Sequence, residues 1–309
     1  MNIFVSGSLA YDRIMDFPGR FSDHIMPDKI HNLNVSFNVN SLVERPGGTA
    51  GNISYCLVLL GENPHTLATI GNDYSNYFAW MDKNNVPKNG IKIVDNQPTA
   101  SAYITTDIDD NQITGFHPGA MMFTSDFDFE AYKPEESIGI LAPGNLEDMI
   151  NYSRIYKQMG IRHIFDPGQS LPIWTSDGLK ECIAGAEILI ANDYEMGLIG
   201  HSTGLDVAEL AKLARSVITT KGEEGSLITT VERSITIPSV EPNKVSDPTG
   251  AGDSYRGGLI KGLIEGKDLA EAALMGAVCA SFAVESEGTQ NYSFSSAEFQ
   301  QRLSTVKGR

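Results

Sequence analysis

From about residue 138 onward, short strand-like runs at Ile138 to Leu141, His163 to Phe165, Glu187 to Ala191 and Ser216 to Thr219 alternate with segments of helix length. Runs this short and this apolar read as strands buried on both faces, and strands that recur with a helix between them join through crossovers into one parallel sheet. The alternation therefore predicts an α/β fold for the C-terminal half. The N-terminal half keeps a different order. Helical stretches at Thr49 to Leu60 and Tyr74 to Asn84 flank a strand at His65 to Ile70. Residues 9–46 and about 90–123 read instead as short strands with turn residues, including Ala100 to Thr106 and Gln112 to Phe116 on either side of the polar turn Asp109-Asp110-Asn111. The expected organisation is a large α/β domain of residues 1–8, 47–89 and 124–309, interrupted by a small two-part β-sheet insertion of residues 9–46 and 90–123.

Charge narrows the partners. Among 309 residues, 23 Lys and Arg face 39 Asp and Glu, a formal net charge of −16. Such a field repels phosphate backbones, which argues against nucleic acid as a partner. It also repels small polyphosphates, so a phosphate site here needs local remedies such as backbone N–H groups, a lysine and Mg²⁺. The N-terminal Met1 to Met15 lacks a basic region followed by a long apolar run, and no later stretch approaches the roughly 18 apolar residues of a membrane span. A cytoplasmic location without membrane contact is expected. Cys56, Cys182 and Cys279 are isolated and lack Cys-x-x-Cys spacing, so they read as core thiols.

The densest chemistry lies in Asp247-Pro-Thr-Gly-Ala-Gly-Asp253, which runs into the helix-like Ser254 to Leu263. Glycines at 250 and 252 let the backbone approach a ligand closely, and a helix starting there aims unpaired N–H groups at an anion. Asp253, on the first turn, is placed to take a proton from an attacking hydroxyl while the amides of Gly250, Ala251 and Gly252 hold a transferring phosphoryl group. A glycine-rich loop with a capping aspartate and no chemistry is the plainer alternative. Two other glycine-loop chemistries are excluded by inspection: no G-x-x-x-x-G-K-S/T occurs, and Gly250 to Tyr255 lacks the third glycine of G-x-G-x-x-G.

That string resembles the C-terminal signature of the PfkB or ribokinase-like carbohydrate and nucleoside kinases, and Gly47-Gly-Thr-Ala-Gly-Asn52 resembles their N-terminal glycine-rich substrate segment. The order and spacing of the two cover nearly the whole chain. The resemblance implies a three-layer ribokinase-like domain with a mostly parallel central sheet and a small β lid, and ATP-dependent transfer to an alcohol with Asp253 as general base. It further implies that Asp12, with Gly48 and Asn52, grips the hydroxyls of a ribose or sugar, a task suited to a carboxylate that accepts two hydrogens at once. Asn192 and Glu195 match N-x-x-E, with Glu195 organising Mg²⁺ through water and Asn192 reaching the ATP phosphates; alone, the same residues also describe a helix cap. Thr220 and Gly222, in Thr220-Lys-Gly222, match a segment at the ATP phosphates or ribose. Ala280 and Ala283 would line the adenine pocket, although core helix is the alternative. Asp247 and Thr249, with backbone near Ala283 and Gly288, resemble a loop that holds K⁺ in many members.

The chain departs from the sugar kinases at Ser254-Tyr-Arg256-Gly-Gly, where ribokinases have T-F-N-G or T-F-x-A. The segment Asn111 to Met122 looks like the lid of adenosine kinase-like nucleoside kinases, and it places Phe116 and Met121 as contacts for a purine face. Phe37, Tyr103 and Met122 are weaker candidates for the same face. A purine nucleoside kinase acting on the 5′-hydroxyl of adenosine, inosine or guanosine is the first expectation. A ribokinase or fructokinase type of sugar kinase is its rival, and a non-catalytic binding protein on the same fold is the third. The lid is expected to close over substrate, and its sheet edge leaves a monomer and a lid-paired homodimer both open.

Overall fold

The computed structural model describes residues 1–25 and 34–307, so residues 26–33 of the expected lid lie outside the described residues. In chain order the first elements are β1 (Asn2–Ser6), β2 (Ala10–Asp16), β3 (Ser41–Gly47), α1 (Thr49–Leu59), β4 (His65–Gly71), α2 (Ser75–Lys83) and β5 (Ile91–Val94). There follow β6 (Ala100–Thr106), β7 (Gln112–His117), β8 (Ser137–Leu141), α3 (Leu146–Met159), β9 (Arg162–Phe165), α4 (Ser176–Ile183), β10 (Ile188–Asn192) and α5 (Asp193–Thr203). The chain continues through α6 (Val207–Leu213), β11 (Ser216–Thr220), β12 (Ser226–Thr229), β13 (Ser234–Ile237), α7 (Ala251–Ile264), α8 (Leu269–Ala283) and α9 (Ser296–Lys307).

Nine strands form one sheet in the order β13-β12-β11-β10-β9-β8-β1-β4-β5. Every pair from β11 to β5 is parallel, and β12 and β13 add an antiparallel hairpin at one edge. Successive strand residues feed opposite faces, as the two-residue period requires. Ile3, Val5, Ile188, Ile190 and Ile218 join a core with α1, α7 and α8, whereas Phe4, Leu189 and Val217 join a second core with α3, α4, α5 and α6. Both faces are thus covered by helices, the three-layer ribokinase-like arrangement that the sequence resemblance implied. All three cysteines are free and buried. Among the described residues no helix is long and apolar enough to cross a membrane.

The chain winds outward from β1 to β4 and β5, then returns to β8 on the other side of β1 and winds away to β11. Where an open parallel sheet reverses in this way, the strand ends diverge and leave a crevice at their carboxyl edge. Gly7 and Gly144 meet at that point so closely that a Cβ on Gly144 would lie 2.7 Å from the Gly7 carbonyl carbon.

The small sheet has the order β3-β2-β6-β7, with a parallel pair at its centre and antiparallel pairs outside. One boundary differs from expectation. Residues 91–94 form β5, which pairs in parallel with β4 at the edge of the large sheet, so the second stretch of the small sheet begins at Ala100 and not at residue 90. The reason is burial: Val94 is buried at that edge, so the short strand gains more from joining the large sheet than from a lid whose outer strand β7 is exposed throughout.

Candidate functional site

The N-terminus of α7 is built by Gly250, its cap, in the left-handed conformation at φ 80° and ψ −3°. A side chain is excluded there twice over, by that φ and because a Cβ would meet the Thr289 Cβ at 3.0 Å. The first N–H groups of a helix have no partner within it and carry partial positive charge, so this turn presents an anion cradle. Of the three amides expected to form it, that of Ala251 donates back to the Pro248 carbonyl at 3.2 Å. The N–H groups of Gly250 and Gly252 have no acceptor among the described residues.

Asp253 follows in the same turn. Its Oδ2 accepts from Asn52 Nδ2 at 2.7 Å, and its second oxygen has no partner among the described residues. Burial pushes its carboxyl up to about 6, opposed by Arg256 and the Asn52 bond and assisted by the negative charges of Asp166 and Glu195. A carboxylate that changes charge just below neutrality can both hold and release a proton at working pH. Asn52, buried in the first turn of α1, is held from its other side: Gln290 Nε2 donates to its Oδ1 at 2.7 Å and also to Tyr77 Oη at 3.1 Å. Tyr77 Oη in turn donates to the Gly47 carbonyl at 2.7 Å. Sequence reading missed Gln290 and Tyr77, since neither lies in a motif and only the fold brings them to Asn52. Asn52 was expected at the sugar; its amide is engaged at one end by Asp253 and at the other by Gln290.

Asp12 lies on β2, and its carboxylate has no hydrogen-bond partner among the described residues. Burial pushes it up to about 6, with Asp247 raising it further and Arg45 opposing. Gly47 leaves the room for it, because a Cβ there would lie 2.5 Å from Asp12 Oδ2. Strand register sets its neighbours: Arg45 pairs with Asp12, Asp12 with Ala102, and Ala102 with Phe116, so these four form one row on one face of the small sheet. Adjacent strands stand about 4.8 Å apart, which puts Asp12 and Phe116 about 10 Å from each other with the small Ala102 as the floor between. Phe116 is 51% exposed on this face. Gly48 caps α1 at φ 89°, where a Cβ would strike the Ser8 carbonyl oxygen at 2.6 Å.

The remaining candidates separate clearly. Asn192 and Glu195 form a reciprocal capping box on α5, Asn192 Oδ1 accepting from the Glu195 N–H and Glu195 Oε2 from the Asn192 N–H, each at 2.8 Å. Glu195 keeps one oxygen beyond the cap, and burial followed by the Asp166 charge raises its carboxyl against the Asn192 bond. Among the described residues no three acidic, histidine or cysteine side chains converge to hold a metal directly. Thr220 ends β11, and Gly222 follows at φ 56° with no atom near its missing Cβ. Ala280 is partly exposed, but Ala283 is 1% exposed and belongs to the core, so it has no surface to offer a ligand. Both Asp247 oxygens already accept N–H groups, one from Thr249 and one from Gly288, each at 2.9 Å. Against its burial, these bonds hold the Asp247 carboxyl below its ordinary value. Met121 sits in the turn after β7, its carbonyl taken by Asn145 Nδ2. Met122 is exposed. Phe37 packs on Phe17 and Phe21, away from the row. Tyr103 pairs with Arg13 and takes its hydrogen bond, which puts it on the face opposite Asp12.

The pfkB family of carbohydrate kinases matches residues 9–296. The chain is 33% identical over 266 residues to a nucleoside kinase of Methanocaldococcus jannaschii, covering 85% of this chain and 87% of that one. It is also similar to the nucleoside kinase of Burkholderia thailandensis, solved in complex with inosine, with a TM-score of 0.87, 36% identity and coverage of 99% of this chain and 98% of the other. The complex of that enzyme with ADP-inosine superposes with a TM-score of 0.84 at 37% identity, over 99% of this chain and 96% of that one.

Proposed function

This chain belongs to the pfkB family of carbohydrate kinases, and from that premise we propose that it is a nucleoside kinase that transfers the γ-phosphoryl group of ATP to the 5′-hydroxyl of a purine nucleoside. The observation that carries the reading is the row across the small sheet: an unpartnered carboxylate at Asp12, a small floor at Ala102 and an exposed aromatic at Phe116. A free sugar needs the first of these alone, whereas a nucleoside uses all three, ribose hydroxyls on Asp12 and the base face on Phe116. Gly48 borders the sugar and Met121 the far end of the base.

In this reading Asp253 accepts the 5′-hydroxyl proton on its free oxygen as the new O–P bond forms, and the bond from the γ-phosphorus to the bridging oxygen breaks to release ADP. Asn52 holds the other oxygen, so the lone pair of the base is aimed and not shared. Gly250 and Gly252 amides receive the charge on the phosphoryl oxygens, while Ala251 contributes only on releasing Pro248. Thr220, Gly222 and Asn192 border the remaining phosphates, and Ala280 the adenine. Mg²⁺ arriving with ATP would neutralise phosphate charge, held by Glu195 through water. Asp247 and Thr249 would border K⁺.

Steady-state phosphorylation over adenosine, inosine, guanosine, cytidine, ribose and fructose, with and without K⁺, tests the proposal. A purine nucleoside is expected to exceed either free sugar in kcat/KM by about a hundredfold or more, the scale on which a lost set of binding contacts is felt. A preference for ribose or fructose would return the chain to the sugar kinases and reduce Phe116 to lid packing. No turnover on any acceptor would leave a binding protein.

A further inference from the structure

A buried guanidinium is costly unless it is paired and fully hydrogen-bonded, so an arginine sealed beside a reaction centre calls for a reason. The side chain of Arg256 is 7% exposed and that of its partner Asp166 is 2% exposed. Arg256 Nε donates to Asp166 Oδ2, and Nη2 donates to Asp166 Oδ1 at 3.0 Å. Its remaining nitrogen, Nη1, donates to the Gly252 carbonyl at 3.0 Å. A Cβ on Gly252 would come within 2.9 Å of the same nitrogen, so the guanidinium lies against the backbone of Gly252 and is bonded to the peptide that joins Gly252 to Asp253. Asp166 is itself fixed, since its N–H donates to the Leu141 carbonyl at the end of β8. The guanidinium therefore ties the first turn of α7 to the carboxyl edge of the large sheet.

The charges around it come from three elements. Asp253 is on α7, Asp166 follows β9 and Glu195 lies on α5, and all three carboxylates act on Arg256. Asn52 of α1 adds a neutral donor to Asp253, and the Tyr255 phenol, pushed up to about 12 chiefly by burial, stays neutral. Arg256 is the cation in this set.

We propose that Arg256 is a positioning residue for phosphoryl transfer: through the Gly252 carbonyl it fixes the peptide between Gly252 and Asp253 in the first turn of α7, and it supplies the positive charge beside which Asp253 works as a carboxylate. The inference rests on the kinase reading above. Arg256 does not reach the substrate, so its effect passes through Gly252 and Asp253.

Three variants, R256M, R256K and R256M/D166N, test it through pH profiles of kcat/KM and through carbon-13 NMR titration of the Asp253 carboxyl. The NMR arm reads the base without turnover, so it stands even if the wild-type protein phosphorylates no nucleoside, the result that would sink the kinase reading by itself. In R256M the Asp253 midpoint is expected to rise by about one unit or more, and kcat to fall by about a hundredfold, the scale of a lost cradle donor. R256M/D166N removes the cation together with its carboxylate and is expected to bring the midpoint back toward the wild-type value. R256K keeps the charge and loses the fork, so its midpoint should stay put while kcat falls by about tenfold or more. R256K also serves if the neutral variant fails to fold. An unchanged midpoint in R256M, or full kcat in R256K, would leave Arg256 as a salt bridge that only stabilises the fold and would overturn the proposal.

Discussion

At the scale of single residues, the site sets function against stability. Burial raises Asp253 from 3.8 to about 6, so at neutral pH its charged form is a cost to the fold. Asp253→Asn is therefore expected to lose about 10²- to 10⁴-fold in kcat while raising the unfolding free energy by about 2 kcal/mol, read from turnover and urea denaturation of the same preparation. For the wild type, kcat/KM should fall as pH drops below about 6, because the proposed general base acts as a carboxylate and burial pushes its folded-state value up to about 6. Gly48→Ala meets two obstacles together, a φ of 89° and a backbone oxygen at 2.6 Å, and should cost on the order of 2–4 kcal/mol in thermal or chemical unfolding. The Gly-Ala-Gly-Asp turn was legible in the sequence because it consists of backbone geometry and helix polarity, both local properties. Arg256 and Gln290 were not. Their meaning comes from Asp166 and Asn52, residues far away along the chain, and the sequence showed Arg256 only as an oddity.

At the scale of elements, the large sheet was readable from its apolar runs, since strands covered on both faces leave a dense signal. The β12 and β13 hairpin and the true allegiance of β5 escaped, because short edge strands carry little pattern and either sheet offers them hydrogen bonds. Phe116 and Tyr103 illustrate a finer limit: both are exposed lid aromatics, and strand register alone separates their faces. Phe116→Ala should raise the cost of binding a purine nucleoside by about 1–3 kcal/mol, the worth of one aromatic stack, while Tyr103→Phe leaves KM unchanged. Equal effects from the two would remove the base from this face. On β9, His163 is buried with Nε2 unpartnered, and burial lowers it from 6.5 to about 4. The unfolded chain then binds a proton near pH 6.5 that the folded chain refuses until about pH 4. Stability is full above the first value and falls through that window by about 3 kcal/mol. Asp12 and Asp253 act in the opposite sense, taking up protons more readily when folded below about 6. His163→Leu should flatten the decline in urea midpoint between pH 6.5 and 4 relative to wild type.

At the scale of the whole molecule, the chain enters the small sheet twice and leaves it twice, and two of these passages are very short. β1 ends at Ser6 and β2 begins at Ala10, while Gly47 closes β3 one residue before the cap of α1. Solution scattering should show compaction when a nucleoside and a non-hydrolysable ATP analogue are both present, as expected of a lid; an unchanged radius of gyration would make the small sheet a fixed wall. The far tip is tied together by one side chain. Asp107 accepts the N–H groups of Phe21, Asp109 and Asn111, binding the β6–β7 turn to the neighbouring segment as one piece. A rigid blade on a short root works as a lever. With seven-residue strands of about 3.3 Å per residue, a turn of about 10° at the root sweeps the tip through about 4 Å. The root is also where Gly47 crowds Asp12 and Gly48 abuts Ser8. The row from Asp12 through Ala102 to Phe116 crosses the strands only two residues from that root, so both of its ends travel far less than the tip.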